Sequence, residues 1–260
     1  MQKSRLDIFL VEKGFCNTRQ KAQSLIMAGL VLVNGQKEDK AGKAVPPNSE
    51  IKILGDNNPY VSRGGLKLEK ALSSFKVKTE NRIALDIGAS TGGFTDCLLQ
   101  HGIQKVYAID VGYGQLAWKI RKDNRVTVIE KTNIRYLNPE KLYSKKDSPT
   151  KTNNNYADLA VIDVSFISLT KILLPIKNIL HYSNNNFEIV TLVKPQFEAE
   201  RQQVEKGGIV KDPKTHQAVL KKVKEYAQTI GLIVKGETDS PIFGADGNKE
   251  FFLHFGPVAK

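Results

Sequence analysis

From residue 82 onward the chain alternates short apolar runs with helical patterns, and this rhythm limits the folds open to it. The runs are RIALDI, KVYAID, RVTVIE, DLAVIDV, FEIVTLV, GLIVKG and EFFLHF. Helical periodicity falls near residues 65–75, 92–101, 114–121, 168–180 and 214–230. Runs this apolar predict strands buried on both faces. They point to an α/β fold with a seven-stranded, mostly parallel sheet covered by helices on each side. The last two runs leave no room for a helix between them, which predicts antiparallel neighbours at a sheet edge. Residues 144–156 are polar, with a proline and an asparagine run, and read as a surface insertion.

Residues 1–58 follow a different pattern, so the expected division is a small domain at 1–58 and a larger one at 59–260. Two short amphipathic helices are expected at 5–15 and 17–28, with Asn17 as N-cap and Gln20 completing a capping box. LVLVNGQ predicts a strand and an Asn-Gly hairpin turn. A second short strand follows at Ile51–Leu54, and GDNNPY at 55–60 closes the unit as a loop.

The charge balance is 39 Lys plus Arg against 27 Asp plus Glu, a net +12. That surplus favours an anionic partner, nucleic acid first. Lys13, Arg19 and Lys21, with Lys37, Lys40 and Lys43, would form a basic surface suited to phosphates. A solvated charged helix is the alternative. The series Arg5-Leu6-Asp7, Thr18-Arg19, Ala22, Ile26, Gly29, Val33-Asn34-Gly35 resembles the alpha-L RNA-binding fold over roughly residues 4–54. The resemblance implies structured RNA, read through shape and backbone, with Arg19 and Lys21 on the RNA-facing helix. Arg5, Lys13 and Arg63 join them as RNA-binding candidates.

Two cysteines, Cys16 and Cys97, are too few for a disulfide framework or a zinc spacing. No metal is expected. The N-terminus lacks an apolar signal region, and no run approaches the ~18 apolar residues of a membrane span. The expectation is a cytoplasmic protein with no membrane partner and no evident obligate protein partner.

The stretch ALDIGASTGGFT (84–95) joins an apolar run to a helical pattern through a small-residue loop. A triphosphate loop needs Gly-Lys-Ser/Thr, and here Phe94 follows Gly93. A dinucleotide fingerprint needs G-x-G-x-x-G, and here the spacing is Gly88-x-x-x-Gly92-Gly93. Asp86 before the glycines would repel a pyrophosphate and suits an ammonium or sulfonium group. A purely structural glycine turn is the alternative. The stretch resembles motif I of class I methyltransferases, which implies S-adenosylmethionine as cofactor. Asp86, Gly88, Ser90, Gly92, Gly93 and Phe94 would form its loop. Asp110, about twenty residues on, would meet the ribose hydroxyls. Asn133, in Thr132-Asn133 after the third run, would meet adenine.

The Asn/Asp-Pro-Pro-Tyr/Phe pattern of amino-group methyltransferases is absent after the fourth run, which ends in Asp163-Val164-Ser165-Phe166. The fifth ends in Lys194-Pro195, where open sheets place their ligands. Lys67 lies on the helix before the first run, and Glu250 opens the last. Lys67, Asp163, Lys194 and Glu250 resemble the tetrad of FtsJ-type ribose 2′-O-methyltransferases. A ribose hydroxyl is a poor acid, so its methylation needs a positioned base. A lysine near another cation and shielded from water serves. Lys194 is assigned as that base and Asp163 as its orienter. Lys67 and Glu250 are positioning and electrostatic partners. Surface ion pairs are the alternative for each residue alone.

The motifs Y-V-S-R-G-G-x-K-L, D-I-G-A-S-T-G-G-F-T-D, A-I-D-V-G-Y-G-Q-L, D-V-S-F-I-S-L, L-V-K-P-Q-F-E, K-G-G-I-V-K-D-P and G-N-x-E-F-F carry the resemblance to residue 256. The chain is similar throughout to the TlyA family, often labelled hemolysin A. The resemblance implies 2′-O-methylation of cytidine in ribosomal RNA, with ribosomal RNA or ribosomal subunits as partner. Lys206-Gly207-Gly208-Ile209-Val210-Lys211 suits a flexible basic lip near the substrate opening, with Lys206 and Lys211 on RNA; a plain connector is the alternative. Competing functions are a membrane-lytic hemolysin and a non-catalytic RNA-binding protein.

Overall fold

The computed structural model describes residues 3–16, 18–54, 58–143, 156–183, 186–244 and 246–258. The chain divides into two compact units, Met1–Asn58 and Pro59–Lys260. The first contains β1 (Ser4–Arg5), α1 (Leu6–Glu12), α2 (Arg19–Met27), β2 (Val31–Val33), β3 (Gln36–Glu38), β4 (Ala44–Val45) and β5 (Ile51–Ile53). β2 pairs antiparallel with β3 and β5, and β1 with β4. Asn34 and Gly35 both take positive φ, 52° and 79°. A two-residue hairpin turn matched to strand twist requires this. Leu6, Phe9, Leu10, Ala22, Leu25, Ile26, Val31 and Val33 form the core of the unit.

Both helices are shorter than their periodicity predicts. Gly14, at φ 75°, turns the chain out after α1, and Gly29, at φ 65°, does so after α2. Asn17, the expected N-cap, lies outside the described residues. Thr18 caps α2 instead: its hydroxyl accepts from the Lys21 backbone N–H at 3.2 Å.

The second unit begins with α3 (Gly64–Phe75), β6 (Ile83–Ile87), α4 (Gly93–Gln100), β7 (Lys105–Ile109), α5 (Trp118–Arg121), β8 (Val126–Ile129) and α6 (Pro139–Leu142). It continues through β9 (Leu159–Ile162), α7 (Leu173–Leu180), β10 (Glu188–Val193), α8 (Pro195–Glu198), α9 (Pro213–Thr229), β11 (Leu232–Asp239) and β12 (Phe251–Pro257). Among the described residues, seven strands form one sheet in the order β11-β12-β10-β9-β6-β7-β8. Every pairing is parallel except those of β12, which runs antiparallel between β10 and β11. The expected pairing of the last two strands is therefore present, but only β11 lies at the edge.

Period-two alternation divides each inner strand between two cores. Ala84, Val106, Ala108, Leu159, Val161, Val190 and Leu192 face α3 and α4. Leu85, Ile109, Ala160, Ile162 and Ile189 face α7 and α9. α5 starts later than predicted, after Gly114 at φ 70°. Leu169–Lys171 form a 3-10 turn ahead of α7. Most of the polar insertion (144–155) and residues 55–57 of the closing loop lie outside the described residues.

Candidate functional site

β6 reverses the sheet order: the chain builds β7 and β8 on one side of it, and β9 and β10 on the other. A crevice opens at the C-terminal ends of such strands. Gly88 follows β6 directly, at φ 84°. A Cβ there would lie 2.3 Å from the Asp163 carbonyl oxygen, so only glycine lets the two strand ends approach. At Gly93, the first residue of α4, a Cβ would lie 2.1 Å from Ser62 Oγ. Ser90 holds φ 47° between them, a strained conformation for a residue with a side chain.

Two cavities meet at Gly88, Ser90 and Asp163. One, of about 460 Å³, is lined by Asp110, Gln115, Asn133, Arg135, Ser165 and Phe166 among others. The other, of about 420 Å³, is lined by Ser62, Arg63, Lys67, Thr91, Phe94 and Phe243 among others. Asp86 lines neither: it is 0% exposed beneath the loop. Its Oδ2 accepts from Thr95 Oγ1 at 2.5 Å, while Oδ1 has no hydrogen-bond partner. Burial pushes its carboxyl up to about 7, against the Thr95 bond, which lowers it. Asp86 Oδ1 is thus an unused buried acceptor beneath the loop.

Asp110 already accepts from the Ser90 N–H at 2.8 Å and the Gly112 N–H at 2.7 Å. Each of its oxygens keeps a second lone pair toward the cavity. Asn133 caps a 3-10 turn, accepting from the Arg135 N–H at 3.1 Å. Phe94 has a double position. It lines the cavity but is 3% exposed and stacks on Phe252 in the core. Its ring is therefore principally a packing element.

Lys67, Asp163, Lys194 and Glu250 come together from four elements. Val193 pairs with Phe251, which sets Lys194, just beyond β10, beside Glu250, just before β12. Lys194 Nζ lies 2.6 Å from Asp163 Oδ1 and donates to Ser165 Oγ at 2.9 Å. Lys67 Nζ donates to Glu250 Oε2 at 2.5 Å. Burial raises the Glu250 carboxyl, and Lys67 and then Lys194 oppose the rise. Glu250 thus senses the other three. The arrangement holds two lysines with two carboxylates in partly dry surroundings.

The RNA candidates divide. Arg5 and Arg19 both bind the buried Asp7, at 3.1 and 2.9 Å, with Gln23 donating at 2.8 Å. The Arg5 guanidinium holds the Asp7 carboxyl well below the usual carboxylate range. Their side chains stay half exposed, so each serves the fold and still faces solvent. Lys13 lies over the Phe9 ring. Lys21 is exposed on α2. Arg63 donates to the Phe243 carbonyl at 3.1 Å at the cavity rim.

The expected lip forms a hydrogen-bonded turn. Glu205 and Ile209 form a bridge, and Gly207 and Gly208 turn at φ 90° and 79°. Buried Asn248 accepts from the Val210 N–H and donates to the Gly208 carbonyl, each at 2.9 Å. Lys211 pairs with Glu205 at 2.8 Å, while Lys206 is exposed.

Sequence reasoning missed Ser62, Ser165, Phe166, Phe243 and Asn248. Phe166 is 91% exposed at φ 63°, against Phe197 at 4.9 Å between ring centroids. An aromatic in an apolar string carries no signal of that exposure. Among the described residues, no acidic, histidine or cysteine cluster could hold a metal, and no helix is long and apolar enough to cross a membrane.

Residues 60–257 match the model of the FtsJ-like methyltransferases, and residues 4–51 match the S4 domain. The 16S/23S rRNA (cytidine-2′-O)-methyltransferase TlyA of Mycobacterium tuberculosis is 41% identical, over 97% of this chain and 89% of its own. Hemolysin A of Brachyspira hyodysenteriae is 45% identical, over 96% of this chain and 99% of its own. A solved structure, "Putative hemolysin from Streptococcus thermophilus", is 44% identical, with a TM-score of 0.75 over 100% of this chain and 90% of its own.

Proposed function

We propose, from the premise that this chain belongs to the FtsJ-like methyltransferase family, that it transfers a methyl group from S-adenosylmethionine to a ribose 2′-hydroxyl of ribosomal RNA. The observation that carries the reading is the pairing of Lys194 with Asp163 and of Lys67 with Glu250 beside a glycine loop. The S4 domain and the +12 charge supply the RNA side. The TlyA relative supplies cytidine as the expected nucleoside.

The residues present fit the cofactor. Asp86 Oδ1 offers an unused buried acceptor, and Gly88 and Gly93 line the cavity with bare backbone. Asp110 and Asn133 would hold its ribose and adenine ends. Bound there, S-adenosylmethionine supplies an activated methyl group.

The chain's own residues prepare the acceptor. Lys194 Nζ would take the 2′-hydroxyl proton as the oxygen bonds to the methyl carbon and the methyl–sulfur bond breaks, its electron pair staying on sulfur. Asp163 and Ser165 hold that nitrogen in place and stabilise the ammonium that results. Lys67, braced by Glu250, sets a positive charge beside the developing alkoxide. Phe166, exposed at the mouth, offers a face on which an unstacked base can rest.

Lys194→Ala tests the assignment. The variant should bind S-adenosylmethionine and RNA within about threefold of the parent and lose at least ~100-fold in transfer, the usual size of a lost general base. Methylation of purified ribosomal subunits, with mapping of the modified ribose, gives the readout. Turnover at the parent rate removes Lys194 as the base. A methyl group on a base nitrogen removes the ribose reading.

A further inference from the structure

The turns after β9 and β10 are tied together at successive points, and the outermost tie belongs to a residue with no part in the reaction as described. Lys194 reaches Asp163 and Ser165. Phe197 meets Phe166. Glu198, only 4% exposed, then receives Ser168 Oγ on Oε2 and the Leu169 N–H on Oε1, each at 2.6 Å. Lys222 of α9 donates to the Glu198 carbonyl at 2.7 Å, which anchors the turn from behind.

We propose that Glu198 is a positioning residue for methyl transfer, fixing the 163–169 loop so that Asp163 and Ser165 hold the Lys194 amine at the acceptor hydroxyl. This rests on the reading of Lys194 as the base. A buried carboxylate is a costly way to join two loops unless both oxygens are used, and here both are. Ser168 Oγ also lies 2.8 Å from Thr170 Oγ1 and caps the 3-10 turn that launches α7. The carboxylate therefore sets where the loop ends. Phe166, at φ 63°, shows that the loop is held in a conformation its own sequence does not favour. Without the tie at 198 the loop can relax, and the Lys194 nitrogen loses the fixed acceptors that aim it. Tethers of this kind govern rate more than affinity, because small displacements of a base cost turnover.

The test compares Glu198→Ala, Glu198→Gln and Ser168→Ala with Lys194→Ala, using full-length protein, S-adenosylmethionine and ribosomal subunits. Glu198→Ala should lower kcat at least tenfold, with KM for RNA and the cofactor Kd within threefold. Ser168→Ala removes the tie to Oε2 but keeps the Leu169 N–H on Oε1, so it should lower kcat by a smaller factor. Glu198→Gln keeps an acceptor for the Leu169 N–H and should restore kcat to within threefold of the parent. If Glu198→Ala does not fold, Ser168→Ala and Glu198→Gln decide between them. Both Glu198→Ala and Ser168→Ala within twofold of parental kcat, beside an inactive Lys194→Ala, overturns the positioning role and leaves the proposed function standing. A loss in Glu198→Ala that appears in KM, or that follows the folded fraction, also overturns it. An active Lys194→Ala defeats the proposed base itself, and the role of Glu198 falls with it.

Discussion

At the scale of single residues, Asp86 is the buried acid beneath the proposed cofactor loop. Its folded carboxyl sits at about 7, raised from 3.8 by burial. A raised acid contributes stability that is complete below the unfolded value and lost as pH rises through the folded one. Ligand-free protein should therefore lose stability between about pH 4 and pH 7, with an upper bound of roughly 4 kcal/mol from this one group. Asp86→Asn keeps the volume and the Thr95 bond, so its Tm should vary less over that range; thermal melts at several pH values check this. A bound ammonium acts in the opposite direction by favouring the carboxylate. Affinity for S-adenosylmethionine in the parent should rise from pH 6 to pH 8, and in Asp86→Asn it should be weaker and flat. The aspartate before the glycines was legible because its charge type excludes a pyrophosphate. That it lies beneath the loop, and that Phe94 packs mainly inward, was not legible. Motifs record which residues cluster along the chain, while burial depends on the strands and helices that close over them.

At the scale of elements, the buried strands could be read from composition alone, because both faces of a parallel sheet must be apolar. Their ends could not. The last strand enters between β10 and β11, and that choice brings Glu250 to Lys194. Nothing local to G-N-K-E-F-F specifies the neighbour. A second polar cluster pins the opposite end of the same strands. Glu188, at the start of β10, receives Arg82 at 2.6 Å and pairs with His254 of β12 at 2.9 Å. His254, then Arg82, hold its carboxyl down at about 2. A depressed acid contributes stability that is present above the unfolded value, near 4.5, and is lost as pH falls toward 2. Glu188→Gln should destabilise the fold at pH 7 by the ~1–3 kcal/mol typical of a broken, partly solvated network, read as a lower Tm. The gap from the parent should narrow as the pH is brought below 4. A constant gap across that range would assign the loss to packing alone.

At the scale of the whole molecule, two units carry different parts of the proposed task. Residues 60–257 match the methyltransferase model and contain both cavities with all four tetrad residues. Residues 4–51 match the S4 domain and place Arg5, Arg19 and Lys21 on one small scaffold. Arg5 and Arg19 are fixed by Asp7 with half of each side chain in solvent. Such guanidiniums meet phosphate with little ordering cost, and contacts of that kind lose affinity steeply as salt rises. Each phosphate contact contributes roughly −0.9 to the slope of log affinity against log salt on a duplex and about −0.7 on a single strand. Arg19→Ala and Lys21→Ala together should therefore weaken binding to ribosomal subunits and reduce that slope by about 1.5. Affinity for S-adenosylmethionine and kcat at saturating RNA should stay unchanged. Filter binding across a salt series, alongside calorimetric titration of the cofactor, separates the two effects. A parental salt slope in the double variant would remove α2 from the RNA surface. Weakened cofactor binding would mean that the basic helix serves the catalytic unit rather than the RNA.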